Sequence, residues 1–123
     1  MNYLEIRNVI PPTVNHLYYT FVRGKRIIRV KTDRGKDFIN LVALTARAKK
    51  FKLLKKDCVF EYTLYCKLKG RSDLDNTFKA IQDSLEGIAY EDDKQIVKII
   101  ATKKRNSGFD GFDLKIYEYC NES

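Results

Sequence analysis

Between Asp57 and Leu68 the chain alternates without a break: Cys58, Phe60, Tyr62, Leu64, Cys66 and Leu68 fall on one side, Val59, Glu61, Thr63, Tyr65 and Lys67 on the other. Successive side chains of a strand point to opposite faces, so this period of two demands a strand whose apolar face must be covered. Two helical segments are available to cover it. From Thr32 or Asp33, either suited to be an N-cap, Phe38, Leu41, Val42, Thr45 and Ala48 recur at helical spacing, and this helix is expected to end near Phe51. A second helix from about Asn76 to Glu86 turns Phe78, Ile81 and Leu85 inward, with Gly87 at its C′ position. Further strands are expected over Tyr3 to Val9, Gln95 to Thr102 and Asp113 to Tyr119. After a loop from Pro11 to His16, a hairpin joins Leu17 to Val22 with Arg26 to Val30 around Arg23-Gly24-Lys25. Strands that mostly do not alternate with helices predict an α+β fold: one domain over residues 1–123, a mixed β-sheet with two main helices packed on it.

Charge narrows the function. The chain carries 24 basic and 16 acidic residues, a net +8, on a composition apolar enough to fold. Its first expected partner is a polyanion. Nucleic acid comes before a membrane, because there is no apolar run of about 18 residues and no signal-peptide pattern. Cys58, Cys66 and Cys120 are odd in number and lack C-x-x-C spacing, which predicts reduced thiols in a cytoplasm, and Cys58 and Cys66 read as core residues. With His16 as the sole histidine and no glycine-rich phosphate loop, a histidine-based triad or a nucleotide cofactor is disfavoured.

The charges are segregated. Arg23, Lys25, Arg26, Arg29, Lys31, Arg34 and Lys36 oppose only Asp33, and Arg47, Lys49, Lys50, Lys52, Lys55 and Lys56 oppose no acid. These two runs are the expected phosphate contacts, foremost Arg23, Lys25, Arg26, Arg29, Lys31, Lys49, Lys50 and Lys52. Tyr18, Tyr19 and Phe21 could stack on unpaired bases, although aromatic residues in a short strand are more often core. The acids cluster too: Asp73 and Asp75 flank Leu74, and Glu91, Asp92 and Asp93 form a run. Two carboxylates side by side repel unless a cation lies between them, and Mg²⁺ suits such a pair. Asp93 becomes a third ligand if its strand lies beside the one ending at Gly70, and Lys79, one turn after Asp75, could neutralise developing charge. The alternative is plain: Asp75 an N-cap, Lys79 its ion-pair partner, Glu91 to Asp93 a solvated turn. A non-catalytic basic DNA-binding module and a general metal-dependent nuclease or ribonuclease are the rival readings.

Arg71-Ser72-Asp73-Leu74-Asp75-Asn76 with Lys79, followed by Asp92-Asp93-Lys94-Gln95-Ile96 and preceded by Pro11-Pro12-Thr13-Val14-Asn15-His16-Leu17-Tyr18-Tyr19, resembles the RusA family of Holliday-junction resolvases. These are small endodeoxyribonucleases of bacteria and lambdoid-type phages. The resemblance covers most of the chain, departing in Thr13, where serine is usual, and in the lysine-rich stretch from Lys49 to Lys56. It implies a homodimer that cuts branched DNA, a four-way junction, by paired symmetric nicks. It implies Mg²⁺, with Mn²⁺ as a substitute, held by Asp73, Asp75 and Asp93, with these three and Lys79 as the catalytic residues. Asn76 becomes a supporting position, and Arg71, heading the motif, joins the expected DNA contacts.

Overall fold

The computed structural model describes residues 2–67 and 74–120. In chain order these form β1 (Asn2–Arg7), the single-turn helix α1 (Val14–Leu17), β2 (Tyr18–Arg23), β3 (Arg26–Lys31), α2 (Asp33–Ala48), β4 (Cys58–Tyr65), a 3-10 turn (Asp75–Thr77), α3 (Phe78–Leu85), a second 3-10 turn (Asp93–Gln95), β5 (Ile96–Lys104) and β6 (Gly111–Glu118). One sheet has the order β1-β6-β4-β5, while β2 and β3 pair only with each other. The mixed α+β architecture is as expected. β4 lies antiparallel to β6 and parallel to β5, so the β4-to-β5 connection must cross over the sheet, and α3 is that crossover.

The alternation in β4 does what it demanded. Cys58, Phe60, Tyr62 and Leu64 are buried with Leu4, Ile6, Phe112, Leu114 and Ile116, and α2 and α3 close over them with Phe38, Val42, Ala46, Ala80, Ile81 and Leu85. Phe38 meets Phe112 at 6.0 Å, and Phe78 meets Tyr62 edge-on at 5.6 Å. Each large side chain so buried contributes about 1.5–3 kcal/mol. Cys66 is buried as well, whereas Cys120 is exposed. Leu68 and Gly70 lie outside the described residues. Among the described residues, no helix is long and apolar enough to cross a membrane.

Three local expectations are corrected. First, α2 stops at Ala48, short of Phe51, where Lys50 takes a φ of +57° that no helix continues. Its buried stripe is Gly35, Phe38, Val42 and Ala46, which leaves Leu41 and Ala48 exposed. Small residues explain this rotation. A Cβ on Gly35 would lie 2.6 Å from the Leu17 carbonyl oxygen, so the missing side chain lets α2 approach α1. Second, α1 occupies part of the expected 11–16 loop and is tied to α2 by Thr32. The Thr32 hydroxyl accepts from the Gly35 amide at 3.0 Å and donates to the His16 carbonyl at 2.6 Å. Thr32 is thus the N-cap, and Asp33 belongs to the first turn. Gly35→Ala is expected to cost about 2 kcal/mol by overpacking this contact, seen as a lower urea midpoint with an unchanged slope.

Third, the hairpin is not core. Tyr19 and Phe21 are exposed and stack on each other at 6.3 Å, and β2 and β3 stand apart from the main sheet.

Candidate active site

Asp75 is the first residue of the 3-10 turn, and Lys79, Asp83 and Glu86 follow it at spacings of four, four and three. That spacing places all four on one face of a helical segment. The turn is fixed from below. Thr77 is buried, its hydroxyl lies 2.9 Å from the Tyr62 hydroxyl of β4, and it donates to the Leu74 carbonyl at 2.8 Å. Burial raises the Tyr62 phenol well above its ordinary pKa, so it stays protonated. Asp75, on the outer side, is exposed and is not an N-cap: the cap positions are Leu74 and Thr77.

Asp93 meets this face from the second 3-10 turn. The Lys79 ammonium lies 3.0 Å from Asp83 Oδ1 and 3.9 Å from Asp93 Oδ2. Lys79 therefore joins Asp83 and Asp93, not Asp75 as the alternative reading had it. Its pKa is raised, first by the hydrogen bond to Asp83, then by the nearby charges of Asp83, Asp93 and Glu86 against an opposing burial effect. The ammonium is thereby held charged. Carboxylate oxygens of Asp83, Glu86 and Asp93 all lie within 4.8 Å of one another. Ligands of a single Mg²⁺ sit up to about 4 Å apart, and hard carboxylate oxygens are its preferred donors. The group is thus a small side-chain adjustment away from the spacing that one divalent cation requires, with three carboxylates set against one ammonium.

The strand that follows Asp93, β5, lies beside β4, as expected. In the parallel register Cys58 pairs with Ile96, so Asp93 sits near the start of β4, at the opposite end from Tyr65. It reaches Lys79 because α3 runs back along the sheet. Asp75 stands outside the Asp83, Glu86, Asp93 group, and Asp73 and Arg71 lie outside the described residues. Asp83 and Glu86 are the acids that sequence reasoning missed. The signal was available: both continue the Asp75 and Lys79 stripe.

The acidic turn is braced, not merely solvated. Asp92 accepts from the Lys94 amide at 2.8 Å, and this hydrogen bond is the main cause of a lowered Asp92 pKa. Gln95 Oε1 accepts from the amides of Glu91 and Asp92, at 2.8 and 3.0 Å, while its Nε2 donates to the carbonyls of Leu54 and Lys56, both at 2.9 Å. One glutamine thus fastens the turn carrying Asp93 to the segment after α2. This is the physical role of the glutamine in Asp92-Asp93-Lys94-Gln95.

The basic residues occupy two places. Arg23, Lys25, Arg26, Arg29 and Lys31 lie on the β2–β3 hairpin, and Lys49, Lys50 and Lys52 on the exposed stretch that follows α2. The hairpin reaches the acidic group directly. Tyr18, the first residue of β2, donates its hydroxyl to Asp83 Oδ2 at 2.5 Å, and the Arg29 guanidinium lies over its ring at 3.9 Å. Burial, then the bond to Asp83, pushes the Tyr18 phenol up to about 12. The stretch after α2 also borders the acids, through Lys55 and Glu91 at 3.5 Å. A single surface therefore holds clustered carboxylates, a charged lysine and cationic flanks, an arrangement suited to breaking a phosphodiester.

No curated protein matches the chain. The family model described as Endodeoxyribonuclease RusA matches residues 10–117. That span takes in the hairpin, the Asp75 and Lys79 stripe and the Asp93 turn alike. Nucleases of this family are divalent-metal dependent and act on branched DNA. The chain belongs to the RusA endodeoxyribonuclease family, hydrolases that cut DNA at Holliday junctions.

Proposed function

We propose that this chain is a homodimeric, Mg²⁺-dependent junction resolvase of the bacterial or phage-infected cytoplasm, in which residues 1–123 form one catalytic domain and Asp73, Asp75, Asp93 and Lys79 carry the chemistry. The observation that supports this most is the approach of Lys79 to Asp93, 3.9 Å apart although they come from separate elements joined only through the fold. Asp73, Asp75 and Asp93 would hold the cation, and Asp83 and Glu86 offer further oxygens beside Asp93. Polarisation of the scissile phosphate and activation of a water are what a divalent cation supplies when held there. The chain's own part is electrostatic. Lys79 faces the phosphoryl oxygens on which negative charge grows, and Asp83 keeps its ammonium in place. Arg23, Lys25, Arg26, Arg29, Lys31 and Arg71 hold the approaching backbone, with Lys49, Lys50 and Lys52 on a second arm. Two cuts at symmetry-related phosphates call for two copies related by a twofold axis.

The test is cleavage of a synthetic four-way junction. Paired nicks are expected with Mg²⁺ or Mn²⁺, none with EDTA, and little inhibition by excess linear duplex or RNA. Equal cutting of RNA or linear duplex would point to a general nuclease, and binding without scission in Mg²⁺ to a non-catalytic module.

A further inference from the structure

The tip of the hairpin is apolar where it ought not to be. Val22 and Ile27 face each other across the strands in the last pair but one before the turn, and they are 72% and 79% exposed. An isolated two-stranded hairpin is marginally stable, and nothing in its own fold uses these two side chains. Exposed apolar groups rimmed by polar residues mark contact sites. The rim here is cationic: Arg23, Lys25 and Arg26 surround the pair, and residues 18–31 contain no acid.

Alternation also fixes which way the pair faces. Tyr18 and Lys31, Thr20 and Arg29, then Val22 and Ile27 form one row along one side of the hairpin. The base of that row is Tyr18, bonded to Asp83 beside Lys79 and Asp93. Four residues of strand separate tip from base, about 13 Å. One face thus runs from an apolar tip, past cations, to the clustered acids. Anionic lipid would meet repulsion at the acidic end, whereas a nucleic acid that delivers a phosphate to a bound cation would not.

We propose that Val22 and Ile27 form a wedge that packs against unstacked bases at the branch point of the junction, making the hairpin tip the reader of branched structure. Apolar side chains set between base steps are a general means of opening and bending DNA, and bases at a branch are already short of stacking partners. This rests on the reading that Asp93 and Lys79 mark the cut site, since that reading places the strand along this face.

The experiment uses the whole chain, Ca²⁺ in place of Mg²⁺, and a four-way junction carrying 2-aminopurine beside the crossover. Wild type should bind with a rise in fluorescence. A V22T/I27T double variant, which keeps the β-branched shape and every charge, should bind within a few-fold of wild type, because phosphate contacts dominate affinity. It should give no rise, and its preference for junction over linear duplex should fall by that same few-fold. Val22→Ala alone, with an intermediate rise, guards against a misfolded double variant, and far-UV circular dichroism checks both. An equal rise in the double variant overturns the wedge, as does a bound wild type with no rise. Loss of binding by a folded variant overturns it too. Dissociation of the variant's dimer in sedimentation assigns the pair to a contact between copies, and loss of binding to phosphatidylglycerol vesicles with junction fluorescence unchanged assigns it to a membrane; both overturn it. Failure of wild type to prefer the junction at all refutes the substrate reading itself, a result separate from each of these.

Discussion

Asp93→Asn is expected to lower junction cleavage about a thousandfold while leaving junction binding intact or stronger, an effect on the scale of losing a main electrostatic contact to the reacting group. The amide matches the carboxylate in size, and the braces of the turn, from Asp92 and Gln95, do not pass through the Asp93 side chain. Lys79 keeps its closer partner, Asp83. What is lost is one negative charge beside the incoming phosphate, which weakens cation binding and relieves repulsion of the DNA. Asp75→Asn should behave alike. Single-turnover cleavage on a denaturing gel, with binding followed by anisotropy, separates the two quantities. Cutting at the parent rate would remove Asp93 from the chemistry.

Lys79→Met should reduce the maximal rate about a hundredfold with little change in the junction concentration at half-saturation, since the role proposed for the ammonium is to face charge that grows during the reaction. Its side chain is partly exposed, so the thioether is accommodated. A second effect carries the opposite sign. The ammonium sits among the acids of the cation group, so its removal leaves Asp83, Glu86 and Asp93 uncompensated. The Mg²⁺ concentration needed for half the maximal rate should therefore fall. A slower enzyme that needs more Mg²⁺ would show that Lys79 supports the carboxylates instead of opposing them.

β4 was readable because its period of two runs uninterrupted from Cys58, and the ends of α2 and α3 were readable where Thr32 and Gly87, with its φ of +80°, mark them. The buried side of α2 was not. Gly35 and Ala46 have too little side chain to register as hydrophobic, yet they make the contact, while Leu41 is larger and faces outward. The partner of Lys79 could not be chosen from spacing, because Asp75 and Asp83 are each four residues away and only the fold brings in Asp93 to favour one side. That the strand after Asp93 neighbours β4 was legible, but its parallel direction, which sets Asp93 near the start of β4, was not, since nothing local distinguishes a parallel neighbour from an antiparallel one. The exposure of Tyr19 and Phe21 was hidden for a related reason: aromatic strand residues look the same in a core and on a projecting hairpin.

The order β1-β6-β4-β5 has a consequence during synthesis. Among the described residues β1 has β6 as its only strand neighbour, and Asn2 must wait for Ile116 to emerge before its backbone finds that partner. Chains generally fold from the N-terminal side as they are made, but here the first strand is the last to be paired. Until residues 111–118 emerge, Leu4 and Ile6, buried in the folded chain, lack the strand beside which they pack, and a chain stalled before residue 111 is expected to offer them to chaperones and proteases.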